Sequence, residues 1–218
     1  MRPILESLAI RIVELHSSHL EQVRVILPNR RSGVFLRKHL AKHLSKTGWS
    51  PLISSISDYI TEISVLEQSD SVETLFLLYD LYREVFPGAE TFDEFFHWGE
   101  IMLRDFDEID KYMVDAERLF TNVIDLKQLE EPLAGLDERQ LNFIRQFWEG
   151  FFTGERTSEK AEFMETWKRL PLLYRRLREQ LTARKLGYPG MLYREIAVRI
   201  REACMAPPQE EVMIVAGF

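Results

Sequence analysis

The chain has one cysteine, Cys204, so no intramolecular disulfide framework holds it together. We read Cys204 as a small buried apolar residue rather than a catalytic thiol. No uninterrupted run of about 18 apolar residues is present to cross a bilayer, and no charged-then-apolar leader opens the sequence. A reducing cytoplasm is therefore the expected location, with no membrane contact. Glycine and proline are sparse, 10 and 9 among 218 residues, which argues against a disordered or collagen-like polymer. At 45% apolar residues, the chain has enough to bury one sizeable core, or a small α/β core carrying a helical insertion.

Metal-ligand spacing is also lacking. His39 and His43 stand four apart on a predicted helix, but no glutamate lies between them and the helix is dense in positive charge, so no metal site is expected. The acidic run "RDFDEIDKYMVDAE", residues 104–117, fails as a calcium loop. Counted from Asp105, its sixth position is Asp110, where glycine is needed, and its twelfth is Ala116, where a bidentate glutamate is needed. We read Asp105, Asp107, Glu108, Asp110 and Asp115 as a solvated junction rich in helix caps.

The most informative absence is a phosphate clamp. In "VRVILPNRRSGVFLRKHL", residues 23–40, an apolar strand runs through Pro28 into a tight turn and a helix, the arrangement in which a nucleotide-hydrolysing α/β domain holds its phosphates. Such a clamp needs G-x-x-x-x-G-K-[ST], glycines to let backbone N–H groups approach phosphate and a lysine to reach its far end. Pro28-Asn29-Arg30-Arg31-Ser32-Gly33 has one glycine and no Gly-Lys pair, so no nucleotide cofactor is expected. What is there is positive charge beyond a strand's carboxyl end. Asn29, Arg30 and Arg31 in the turn, Ser32 as the expected cap of the helix, and Arg37 and Lys38 on its outer side are candidates for contacting a nucleic-acid phosphate or a protein partner. The bland alternative is a turn that pairs its arginines with acids elsewhere in the chain.

Charge is strongly segregated behind the net value of −7. Residues 22–57 carry seven Lys/Arg and no acid; residues 168–201 carry ten Lys/Arg against Glu179 and Glu195; residues 58–165 hold 27 acids and nine bases, a balance of −18. Two basic stretches that meet in space make a patch for phosphates, while an acidic middle is repelled by DNA.

Apolar periodicity predicts a helix over residues 3–17, a strand over 23–27, a helix over 32–45 and a strand around 52–54. A further helix is expected to start at Ser57 as its cap. On the second helix, Val34, Phe35, Leu36, Leu40, Ala41 and Leu44 are expected to face the sheet. From about residue 72 to 187 the pattern is helical throughout, over 71–86, 91–106, 115–130, 137–153 and 158–186, and its many aromatics are read as core. A last helix over 188–205 leads to "EEVMIVAGF", whose run Val212 to Ala216 reads as a strand buried on both faces of a parallel sheet. The fold class is therefore α/β, a small parallel sheet formed by residues 1–60 and 188–218 with a large all-helical insertion over 61–187. The sheet is expected to continue beyond residue 218.

Taken together, "VRVILPNRRSGVFLRKHL", "LRDFDEIDKYMVDAERLFTNV", "KLGYPGMLYREIA" and "EEVMIVAGF" resemble the N-terminal region of AddB-like proteins, helicase-nuclease subunits of bacterial double-strand-break repair, in their Bacteroidetes form. The resemblance extends over essentially the whole chain. It implies a P-loop, superfamily-one-helicase-like first domain with a helical insertion, in a longer protein that ends in a PD-(D/E)XK nuclease domain. It implies as partners DNA, single-stranded or end-processed duplex, and a UvrD-like or AddA-like motor subunit. Two departures stand out. Active relatives carry a Walker lysine in their first strand-loop, whereas "PNRR" stands in a position more like the next helicase motif, which touches single-stranded DNA, and Ala216-Gly217-Phe218 stands where many relatives have a D-G-F turn. Both imply a helicase fold without hydrolysis, with no catalytic residue and no cofactor in this stretch.

Overall fold

The computed structural model describes residues 3–44, 48–86, 88–120, 157–202 and 212–217, with side chains in the long helix near its end described from residue 168 onward. In chain order these form α1 (Ile4–His16), β1 (Val23–Leu27), α2 (Arg30–His43), β2 (Leu52–Ser55), α3 (Ile56–Ile63), β3 (Glu67–Gln68), α4 (Ser71–Val85), α5 (Phe92–Lys111), α6 (Thr157–Ala183), β4 (Leu186–Gly187), α7 (Pro189–Arg201) and β5 (Val212–Val215). The predicted helices over 115–130 and 137–153 lie largely outside the described residues, as does Cys204. Two compact units result, one formed by residues 1–68 and 192–218, the other by residues 69–191.

The first unit is built on a three-stranded parallel sheet in the order β2-β1-β5. Val25 is the register point, opposite Ile53 on one side and Ile214 on the other. A parallel neighbour needs a crossover, and α2 supplies it between β1 and β2. All five residues of β1 are buried. Alternation along the strand sends Val23, Val25 and Leu27 into a cluster with Ala9 and Ile12 of α1 and Leu36 and Leu40 of α2. Arg24 points to the opposite face, where its guanidinium donates to both carboxylate oxygens of Glu62 at 2.9 and 3.0 Å and lies over the Tyr59 ring. On α7, Tyr193 pairs its hydroxyl with Ser57, and Arg199 donates to the Ile63 carbonyl.

Three expectations are corrected here. β5 is an edge strand with Val212 and Val215 exposed, so the strand buried on both faces is β1; an apolar composition alone does not distinguish the two. Val34 and Phe35 face outward, because the buried side of α2 is set by Gly33, Leu36 and Leu40 at helical spacing. Finally, α3 is capped by Ser55, whose hydroxyl accepts from the Asp58 N–H, and not by Ser57.

The second unit packs α4, α5 and α6 around Leu78, Phe95, Phe106, Leu173, Leu177 and Leu181. Its helices begin on local caps. Asp70 accepts from the N–H groups of Val72 and Glu73, and Thr91 and Glu94 form a reciprocal capping box. The acidic segment at the end of α5 is a solvated, cap-bearing junction only in part: Asp115 is exposed and accepts from the Arg118 N–H at 3.1 Å, but two of its acids lie inside. Asp105 and Asp110 are buried, Asp110 completely, accepting from the hydroxyls of Tyr174 and Tyr188 with the Arg178 guanidinium 3.5 Å away. Asp107 accepts from the Gly190 N–H at 2.6 Å.

Candidate nucleic-acid interface at the carboxyl edge of the sheet

In an open parallel sheet the carboxyl ends of the strands gather the loops, and a crevice opens where successive connections leave in opposite directions. In the first unit that point is β1, with β2 on one side and β5 on the other. Three segments end there: Pro28-Asn29 after β1, Ser55 as the last residue of β2 opposite Leu27, and Ala216-Gly217 after β5. The Ala216 N–H donates to the Ile26 carbonyl at 3.1 Å, carrying the β1–β5 pairing past the end of the strand. Gly217 has φ +87, a left-handed backbone that glycine suits, while a Cβ there would only reach ordinary contact with Pro28.

The turn itself is closed by side chains. Asn29 Oδ1 accepts from the Ser32 N–H at 2.9 Å and from the Ser32 hydroxyl at 3.1 Å, so Asn29 is the cap of α2 and the expected role of Ser32 passes to it. Arg30 Nε donates to Asp58 Oδ2 at 3.0 Å, and Asp58 also accepts from the Ser55 hydroxyl at 2.6 Å. The Arg30 hydrogen bond, with Ser55 adding to it, holds the Asp58 carboxyl far below the usual carboxylate range. In turn, Asp58 raises the pKa of Arg30. Arg37 donates to the Ile53 carbonyl at 3.1 Å.

Of the six predicted contact residues, Asn29 and Ser32 are therefore bonded to each other, Arg30 to Asp58, and Arg37 to the backbone of β2. Arg31 and Lys38 remain exposed with no ion pair among the described residues, and Lys42 joins them on the same side of α2. The positions 31, 34, 35, 38 and 42 fall on one helical stripe, in which Arg31 lies 6.0 Å from the Phe35 ring centre. What this surface offers chemically is fixed positive charge beside an exposed aromatic ring.

Sequence reasoning missed Asp58, the residue that ties the two loops together. Its local signature was present, since Ser55-Ile56-Ser57-Asp58 is an S-x-x-D helix start. The second basic stretch also places much of its charge in internal pairs. Arg175 pairs with Glu179, Arg176 with Glu84 and Arg178 with Asp110 in the second unit, and Arg199 pairs with Glu195 in the first. No group of three potential metal ligands occurs among the described residues, and no described helix is long and apolar enough to cross a membrane. Comparison with protein-family models, curated proteins and solved structures gives no match for this chain.

Proposed function

We propose that the chain is a non-hydrolysing, helicase-like module of an AddB-like helicase-nuclease subunit, acting in double-strand-break repair and homologous recombination as a scaffold that guides DNA and contacts the motor subunit. The observation that carries this reading is the parallel β2-β1-β5 sheet. Its β1–α2 turn carries Asn29, Arg30 and Arg31 and no glycine-lysine pair, which is what supports a non-hydrolysing reading. Arg31, Lys38 and Lys42 of α2 are then the groups that meet the DNA backbone, while Arg30, neutralised by Asp58, shapes the turn. Neither ATP hydrolysis nor nucleolytic cleavage belongs to this stretch of chain.

The test is fluorescence anisotropy with a labelled single-stranded oligonucleotide over a salt series. Replacing Arg31, Lys38 and Lys42 together by alanine is expected to weaken binding and to flatten the dependence of log K on log salt by about 0.7 for each phosphate no longer neutralised, about 2 in all. Arg30→Ala is expected to leave the slope nearly unchanged. An unaltered slope in the triple variant removes the DNA role from α2.

One observation favours a second reading, a protein-binding module with no nucleic-acid contact: much of the basic charge is already paired with the chain's own acids. In that case the oligonucleotide fails to bind the unsubstituted protein at all.

A further inference from the structure

The second unit carries a partly exposed aromatic ridge. Phe76 of α4 and Phe92 of α5 stack with ring centres 4.6 Å apart and planes 11° from parallel, and Phe96 meets Phe92 edge-on at 6.0 Å. Phe76 is 50% exposed and Phe96 43%, with Phe92 between them half-buried. Val72, one turn before Phe76, extends the apolar surface and is itself exposed. Toward the core, Phe92 meets the Tyr79 ring edge-on at 5.2 Å and Tyr79 meets Phe95 at 5.1 Å, so the ridge is the exposed end of the ring cluster that also holds buried Leu75, Leu78 and Phe95.

The rim of the ridge is predominantly acidic. Glu73 and Asp80 lie three residues before and four after Phe76; Asp93 and Glu100 lie three before and four after Phe96. That spacing puts each acid beside a ridge aromatic on its own helix. All four are exposed, and none has an ion pair among the described residues. Arg83, the nearby cation of α4, lies over the Tyr79 ring.

From this arrangement we infer that the ridge is a docking surface for a basic amphipathic helix of a partner protein. Such a helix lays Leu, Ile or Met side chains at i, i+3, i+4 and i+7 against the phenylalanines and brings Lys or Arg to the four carboxylates. The acid rim decides among the possible occupants. It repels a nucleic-acid backbone and an anionic bilayer surface, and it repels itself in a symmetric contact between two copies. Desolvation on docking strengthens both the ion pairs and any cation-over-ring contacts. The inference does not rest on the DNA reading of α2, because it uses different residues on a different unit.

The experiment uses the whole chain and a fluorescent synthetic peptide of about 18 Lys and Leu residues patterned as an amphipathic helix, with a scrambled peptide of the same composition as control. Phe76→Ser and Phe96→Ser change exposed positions, and each variant is first shown by circular dichroism to melt cooperatively. Each is expected to weaken peptide binding at least about 10-fold, and neutralising Glu73, Asp80, Asp93 and Glu100 together about 30-fold or more. Neutralising Glu14, Glu21, Glu67 and Glu202, four exposed acids of the other unit, is expected to change it less than about 3-fold. Equal binding of the scrambled peptide, or equal losses from the two sets of acids, would mean simple ion exchange and would overturn the inference. A chain that sediments as a dimer and becomes monomeric on Phe76→Ser would overturn it in favour of self-association.

Discussion

Asp105 is held in the fold at a cost that depends on pH. It is 7% exposed, its Oδ2 has no hydrogen-bond partner among the described residues, and Arg104, itself largely in solvent, stands 3.8 Å from Oδ1. Burial outweighs the attraction of Arg104 and, with Glu108 adding repulsion, pushes the carboxyl from its ordinary 3.8 up to about 7. The unfolded chain therefore gives up this proton near the ordinary value, while the folded chain keeps it until about neutrality. The contribution of Asp105 to stability is complete in acid, falls as pH rises between those two values, and stays low above them. A shift of about three units corresponds to about 4 kcal/mol. Asp105→Asn removes the charge but introduces an amide that also lacks a partner, which costs about 1–3 kcal/mol. At pH 8 the variant is expected to be more stable than the parent by about 1–3 kcal/mol, and near pH 4.5 equal or less stable. Urea unfolding followed by tryptophan fluorescence across that range measures the crossing. Because other carboxylates titrate alike in both proteins, their difference isolates Asp105. Curves that stay parallel from acid to alkaline pH would refute the reasoning.

The buried Asp110 differs in that its carboxylate oxygens accept from two tyrosine hydroxyls. Tyr188→Phe is expected to cost about 1.5–3 kcal/mol and Asp110→Ala about 3–5 in chemical denaturation, and losses under about 1 kcal/mol would mean that the hydroxyl bonds carry little. At the β1–α2 turn, Arg30→Gln is expected to raise the Asp58 pKa toward the normal range without fully restoring it, because the Ser55 hydroxyl remains; a carboxyl titration by NMR reads this directly, and no movement would sever the pair. Gly190→Ala places a methyl on the Asp107 carbonyl and is expected to lower stability by about 2–3 kcal/mol, whereas Gly48→Ala meets nothing within 4 Å and is expected to be near neutral, both checked by thermal melts.

β1 and β5 were legible as short apolar runs, β2 more weakly through Leu52 and Ile53 among turn residues, and the α2 crossover between β1 and β2 follows from their being parallel neighbours. Which strand lies in the middle was not legible. "VMIVA" is as apolar as "VRVIL", yet the central strand is the one containing Arg24, a residue that composition counts against burial. Its charge is tolerated because Glu62 is 38 residues away in sequence and 2.9 Å away in space. The same reason hid the polar core of the second unit. Asp110 sits in a run that reads as surface, and its partners Tyr174 and Tyr188 lie 64 and 78 residues downstream. Local periodicity reports which face of a helix is apolar; it carries no information about distant groups that make a buried charge tolerable.

Long-range pairing also changes what the charge segregation means. The basic stretch 22–57 enters the fold with no acid of its own, but Arg24 and Arg30 find Glu62 and Asp58 just beyond it, and Arg37 is drawn to a backbone carbonyl. The positive field on α2 thus comes down to Arg31, Lys38 and Lys42, a number that supports only weak, salt-sensitive attraction to a polyanion. Four uncompensated carboxylates around an aromatic ridge on α4 and α5 make the stronger case for specific recognition, since apolar contact supplies affinity while the acids select the sign of the partner. Steering a polyanion needs no more than the first surface. Holding one particular protein needs the second.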